Sequence, residues 1–454
     1  MEPLQYNKTR VKDQEKTYSV TAFLLFILLS SANTLHAATL FQQVGISSSP
    51  NPVGSGARAV GMAGAFIAIA DDATAASWNP AGLIQLESPE VSMAGAYLQR
   101  RDEFSSATHP EAINTGEIDD LNINYFSATY PFRLFQRNMV ASLNYQRLYE
   151  FKQSFDYTFD YSSLGVDLLQ DKHFRQDGYI GALGLASAIQ ITPELSLGAT
   201  MNVWTDELFW RNGWNETYRE HGVGTVGGET IIIDTTIHDR YSRFRGVNVN
   251  AGLLWNMNQY LTISAVAKTP FKASLRHKFS FEKIETVGSN TMTNQQDITE
   301  EIKLRMPLSY GIGMAARISD ALSLALDLYR TEWSEYILTD AQGNRFSPVD
   351  GRLEKDSRVE DTMQIRMGGE YLFIGETIVV PVRGGIFYDP EPSHRDVKDF
   401  YGIALGTGVP YKGLIFDMAY QLRWGQDIDT GNLIATSTSD ITQHLILTSF
   451  IIHL

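Results

Sequence analysis

The sequence predicts an all-β protein: a 14-stranded antiparallel transmembrane β-barrel with an N-terminal hatch, or plug, in its lumen. Three observations predict it. Segments that alternate apolar and polar residues recur from residue 91 to the end, the connections between them alternate long and short, and a stretch rich in small residues precedes them. Composition agrees. Mean hydropathy is −0.17, too polar for a bundle of membrane helices but suited to strands with one face on a polar lumen. The net charge of −15 has the wrong sign for a nucleic-acid partner. None of the 454 residues is cysteine, which removes disulfides and thiolate metal sites.

Residues 1–37 read as a secretory signal. Lys8, Arg10, Lys12 and Lys16 precede the apolar run VTAFLLFILL, and SSANTLHA follows it. A bilayer-spanning helix needs ~20 apolar residues, so cleavage after Ala37 is expected; an uncleaved anchor is the alternative. Residues 38–90 form the expected hatch. Its centre, GSGARAVGMAGAFIAIADDATAASWNPAGL at 54–83, carries a single cation, Arg58. Asp71, Asp72 and Thr74 offer N-cap chemistry for a short helix, and Pro80 ends it.

Residues 91–454 form the expected barrel. Leu322, Leu324, Leu326 and Leu328 share one strand face, with Ser323, Ala325, Asp327 and Tyr329 on the other. Fourteen such segments are read: 91–98, 122–130, 139–148, 178–190, 195–204, 244–255, 261–282, 301–318, 321–330, 363–372, 378–388, 400–409, 413–422 and 443–454. Segments 261–282 and 301–318, which hold Pro270 and Pro307, are kept whole with a bend or bulge there. The intervening connections alternate in length, as expected for outer-membrane barrels with long loops outside and short periplasmic turns. An even count puts both termini on the periplasmic side. Arg317, Asp327, Arg366, Glu370, Arg383 and Asp417 lie opposite apolar neighbours. Facing lipid, a basic residue would cost about 2–4 kcal/mol, so these six are expected in the lumen.

Candidate site residues follow from the same reasoning. Asn79, Pro80 and Ala81 would fix the hatch against the wall as a gate element, or be an ordinary helix stop. Asp71 and Asp72 would pair with Arg58 or with lumen arginines, or simply cap a helix. Phe66, Ile67 and Ile69 would line a ligand pocket, or form the hatch's own core. Trp210 and Trp214 would catch a hydrophobic ligand at the outer rim, whereas Trp204 belongs to the aromatic girdle. Enzyme chemistry is not indicated: the nine histidines show no HxxxH spacing and no GxSxG occurs. Neither a catalytic residue nor a cofactor nor a metal is expected.

The stretch GARAVGMAGAFIAIADDATAASWNPAGL resembles the N-terminal hatch of the FadL/TodX-type outer-membrane transporters of long-chain fatty acids and other hydrophobic compounds. LRMPLSYGIGMAARISDALSLALDLYRTEWS at 304–334 and VRGGIFYDPEP at 382–392 resemble that family's C-terminal strands. The resemblance implies a monomeric channel in the outer membrane of a Gram-negative bacterium, embedded in its lipid. It implies a passive route: a fatty acid or aromatic hydrocarbon is captured outside, enters an apolar pocket and leaves laterally after the hatch shifts. A barrel shuttle that binds secreted proteins, as in type IX secretion, is the alternative, because such barrels have a similar hatch.

Overall fold

The computed structural model describes residues 46, 49, 51, 54–107, 109–163, 165–206, 211–376, 378–429 and 437–454. The expected signal segment and Trp210 lie outside the described residues. The strands are β1 (Glu90–Ser106), β2 (Asn114–Leu134), β3 (Arg137–Glu150), β4 (Gln153–Ser163), β5 (Val166–Gln190), β6 (Leu195–Trp204), β7 (Gly213–Val226), β8 (Glu229–Asn258), β9 (Leu261–Lys268), β10 (Phe271–Val287), β11 (Asn290–Met306), β12 (Ser309–Arg317), β13 (Leu322–Thr331), β14 (Ile337–Thr339), β15 (Arg345–Phe346), β16 (Thr362–Ile374), β17 (Val379–Tyr388), β18 (Tyr401–Tyr411), β19 (Leu414–Asp429) and β20 (Ser437–His453).

Fourteen of them close a ring in the order β1-β2-β3-β5-β6-β8-β9-β12-β13-β16-β17-β18-β19-β20, every pair antiparallel. The last strand returns to the first, from Glu90 opposite His453 to Ser106 opposite Ser437. Closure leaves no sheet edge to be satisfied by water. Alternation runs apolar outward. On β16 Met363, Ile365 and Met367 are exposed, while Gln364 and Arg366 between them are buried. The lumen is thus the polar side and the outer surface the apolar one. The short turns, such as 135–136, 259–260 and 412–413, gather at one end together with both ends of the ring.

The segments holding Pro270 and Pro307 do not stay whole. Each is interrupted at its proline, giving β9 and β10, and β11 and β12, because proline has no N–H to continue the ladder. The expected long connections 149–177, 205–243 and 283–300 are also largely strands. There β4, β7, β10, β11 and the first halves of β5 and β8 extend the wall beyond the apolar belt as an eight-stranded outer sheet completed by β14 and β15. Strand β8 alone has 30 residues, several times the ~10 needed to cross a bilayer. Arg317 is a further correction. It lies at the short-turn end, exposed, bridging Asp320 at 3.3 Å. Trp204 is not a girdle residue either: it shares the inward parity of Thr200 and Asn202, is buried, and stacks on Phe271.

Residues 54–89 fill the short-turn half of the lumen. They comprise helix α1 (Ala57–Gly61), helix α2 (Ala75–Trp78) and a 3-10 turn over Pro80–Gln85. Helices this short do not persist alone; the wall holds them. Wall glycines receive the segment directly, its backbone at Gly198 and Gly368 and the Asn79 side chain at Gly252. A Cβ on Gly198 would lie 2.3 Å from Ala81 N, one on Gly252 2.0 Å from Asn79 Oδ1, and one on Gly368 2.2 Å from Met62 O. No other residue allows such approach.

In the outer sheet, Phe151, Trp214, Tyr241 and His277 stack face to face at 4.4, 4.4 and 4.7 Å. His277 ends the stack between Asp239 (2.5 Å) and Glu300 (3.1 Å). Beneath it Glu216 accepts from Trp214 Nε1 at 3.0 Å and Gln176 Nε2 at 2.9 Å. Burial alone would lower the His277 pKa, but the hydrogen bonds and charges of Asp239 and Glu300 hold it above 6.5. Burial raises Glu216 above 4.5 and Asp239 above 3.8, although His277 opposes the latter.

Two outcomes follow from these contacts. Gly252→Val or Gly368→Val leaves the outward face untouched, so the barrel assembles, but the luminal segment is pushed off its seat. Planar-bilayer conductance should rise from near zero to that of an open pore. Second, all three outer-sheet shifts mean that the folded state binds more protons than the unfolded one. Their contribution is greatest below the ordinary carboxylate values and is lost as pH rises through the raised pKa of each group. Amide protection factors, that is exchange corrected for its intrinsic base-catalysed rise with pH, should therefore be lower in β7, β10 and the first half of β8 in mildly alkaline than in mildly acidic buffer, and His277→Gln should flatten that dependence.

Candidate functional site

The luminal segment is bonded to nearly every side of the wall. Asp327 of β13 accepts from Phe66 N (2.6 Å) and Ile67 N (2.8 Å). Thr200 of β6 donates to Ala76 O, Tyr125 of β2 to Ala73 O, and Arg366 of β16 to Ala63 O, each at 2.9 Å. Ala57 N donates to Ser449 Oγ of β20 at 2.7 Å. Chain order explains the pattern: a segment too small-residued to form its own core offers backbone, and inward polar side chains take it.

Arg58 donates to both oxygens of Glu370, at 3.0 and 3.1 Å, and to Asp71. Glu370 also accepts from Arg383 Nε at 2.6 Å, and Arg383 reaches Asp417 at 2.5 Å. Five groups thus alternate in sign from the segment into β16, β17 and β19, so no buried charge lacks a partner along the chain. Asp71 pairs with Arg58. Asp72 instead accepts from Thr74 N at 2.8 Å and Thr74 Oγ1 at 2.5 Å, a capping geometry. Asn79 accepts from Ala81 N (3.1 Å) and donates to Ile67 O (3.0 Å) and Leu253 O (3.2 Å), tying Asn79-Pro80-Ala81 both to the segment and to β8. Phe66 packs edge-on to Trp78, and Ile67 packs with Val266 and Tyr329. Ile69 is partly buried against the segment's own cluster.

Above the segment lies a cavity of ≈ 160 Å³ with a mixed lining: apolar Val60, Trp78, Leu98, Leu148 and Leu445, and polar or charged Asn124, Arg147, Glu150, Arg366, Asp389 and Arg423. Its wall is broken at β2–β3. Pairing there runs from Leu134 opposite Arg137 to Tyr125 opposite Gln146 and stops. The next link is a side chain, Asn124 Nδ2 donating to Arg147 O at 3.1 Å. Two bulges cause the parting. Asn124 is the extra residue of β2 against β1, and Leu148 the extra residue of β3 against β5. Ion pairs span the resulting window, Arg147 to Asp120 at 3.1 Å and Lys152 to Asp120 at 3.2 Å, while Arg147 also pairs with Glu150 on its own strand. The Arg147 guanidinium lies 3.9 Å over the Tyr179 ring. Sequence reasoning missed these window residues; neighbouring charges at 119, 120, 147, 150 and 152 were the available signal.

Asn51 was missed as well. It accepts from Trp333 Nε1 (2.7 Å) and Thr362 Oγ1 (2.8 Å) and donates to Pro390 O (2.8 Å), pinning the chain ahead of the segment. Trp214 does not stand open at a rim. It is buried between Phe151 and Tyr241.

Comparison with known proteins agrees with this architecture. The family model described as outer membrane protein transport protein (OMPP1/FadL/TodX) matches residues 51–427. No curated protein sequence matches the chain. Among solved structures, a Pseudomonas aeruginosa FadL homologue superposes with a TM-score of 0.58 at 12% identity, covering 88% of this chain and 98% of its own. The P. putida toluene transporter TodX gives 0.54 at 12%, covering 89% and 99%. The Ralstonia pickettii toluene transporter TbuX gives 0.51 at 15%, covering 89% and 99%. At such identities the structures speak to fold, and the family match to membership. A closed, inside-polar barrel with this N-terminal stretch belongs to the OMPP1/FadL/TodX family of outer-membrane transport proteins.

Proposed function

We propose that this protein is a passive conduit for small apolar compounds of monoaromatic size, with the luminal segment as hatch and the β2–β3 window as lateral exit. The long-loop sheet faces the outside and both termini the periplasm. The observation that carries the reading is the parting of β2 from β3 beside a partly open cavity. Size favours a monoaromatic compound over a long acyl chain: a cavity of ~150 Å³ accommodates benzene, close to the ≈ 160 Å³ here, and a long-chain acid is several times larger. Structural neighbours named as toluene transporters support the same class.

Physical chemistry favours the sideways route. Returning ~200 Å² of apolar surface, about that of an aromatic side chain, to water costs ~5 kcal/mol. An exit into lipid avoids that step. The wall glycines and the Asp71–Arg58–Glu370–Arg383–Asp417 chain hold the hatch in place, so a path through the window needs only local movement.

Two measurements test this. Cells carrying the protein should take up radiolabelled toluene faster than cells without it, with no comparable gain for a long-chain fatty acid; the reverse result would reject the size argument. The chain has no cysteine, so Asn124→Cys with Arg147→Cys gives a unique pair across the window. Oxidation should abolish toluene uptake and reduction restore it. Uptake that is indifferent to oxidation of a verified cross-link would rule out the lateral exit.

A further inference from the structure

A second cavity, of ≈ 770 Å³, shares Asp120, Arg147, Glu150 and Lys152 with the window and reaches the exposed side chains of Arg240, Arg243 and Lys278 on the outer sheet. Its lining is basic in a chain of net charge −15. Arg240, Arg243, Arg276 and Lys278 converge there, and none makes an ion pair among the described residues. Three of the four lining carboxylates are already engaged: Asp120 and Glu150 by Arg147 and Lys152, and Asp206 by Arg245 at 3.6 Å.

Two features set these cations against the fold's own preferences. Arg240 of β8 stands directly opposite Lys278 of β10, a like-charged cross-strand pair that opposes sheet formation. Arg243 sits at φ +59°, the left-handed region that favours glycine. It occupies a bulge where β8 slips against β10 between Ser274 and Arg276. Without the bulge, alternation after buried Tyr241 would turn residue 243 inward; with it, Arg243 joins Arg240 and Arg245 on the exposed face. A strained backbone that adds a cation to a repelling pair calls for an anion between them.

The height of the cleft indicates which anion. Below Arg245 the outward face of β8 is apolar, with Val247, Val249, Trp255 and Met257 exposed. From 257 to 247 is ten residues; at ~3.3 Å per residue on a tilted strand this spans the ~25 Å belt of an outer-membrane barrel. The cleft begins where the belt ends, at the level of the lipid head groups. Arg guanidinium pairs phosphate through two parallel hydrogen bonds.

We propose that this cleft binds the phosphate monoester of an outer-leaflet lipid head group, anchoring the lipid beside the β2–β3 window. The site rests on the outer-membrane placement and not on what the channel carries, so failure of toluene uptake leaves it standing.

Native mass spectrometry tests it on the full protein in phosphatidylcholine discs doped with dioleoyl phosphatidic acid. Wild type should retain phosphatidic acid selectively, and millimolar inorganic phosphate should not displace it. Arg240→Gln/Arg243→Gln/Arg276→Gln should weaken retention about a hundredfold. The corresponding triple Lys variant should keep most of it, which separates charge from any disturbance of the sheet. Equal retention of both lipids, undiminished retention in the Gln variant, or displacement by inorganic phosphate would each overturn the proposal.

Discussion

A backbone amide in hydrocarbon has no water to turn to. That constraint organises this molecule. It requires that every wall strand have a partner on both sides, and β20 meeting β1 meets the requirement for the ring as a whole. It also assigns the faces, apolar outward and polar inward. The lumen then inherits Asp327, Arg366, Glu370, Arg383 and Asp417, all buried. Such groups demand partners of their own, and the luminal segment supplies them as bare backbone N–H and C=O and as one arginine. The barrel and its contents are therefore one structure: the wall's inner face is incomplete without residues 54–89, and those residues have no core without the wall.

Against that background, the parting of β2 from β3 stands out. Two bulges on facing strands, at Asn124 and Leu148, remove main-chain pairing at one level of the wall. Side chains replace it: the Asn124 amide, then the pairs of Arg147 and Lys152 with Asp120. A side-chain closure differs from a main-chain one in kind. Rotamers exchange without disturbing strand register, whereas the main-chain ladders on either side are fixed by it.

How much of this was legible beforehand depended on whether the feature is local. The fourteen wall strands follow from period-two alternation, which each segment carries alone. The outer sheet had signals too: Gly227-Gly228 between runs rich in β-branched residues is a hairpin turn, and Thr230-Ile231-Ile232-Ile233 is a strand former. Loop parity alone makes 205–243 a loop, and local propensity wins over it in the fold. Trp204 was misplaced although Thr200 and Asn202 fix its parity. Arg58 with Asp71 was legible because both lie in one short segment. The Glu370 end of that chain was not, since it joins residues 312 apart in sequence. The window was least legible of all: it arises from two bulges whose effect exists only when β2 and β3 are side by side.

The charged frame of the window looks ill suited to an apolar passenger, but its arrangement resolves the conflict. Arg147 and Lys152 share Asp120, and Arg147 also holds Glu150, so the frame carries no unmatched cation for a solute to strip bare. The Arg147 guanidinium also sits 3.9 Å over the Tyr179 ring, a cation–π contact that gives its charge a further partner. Leu148, turned out of register by the bulge, lines the cavity at the same height. An opening framed by apolar residues alone would bury itself by collapsing. Ionic struts held at the rim resist that collapse, and they do so at the level where the wall gives way.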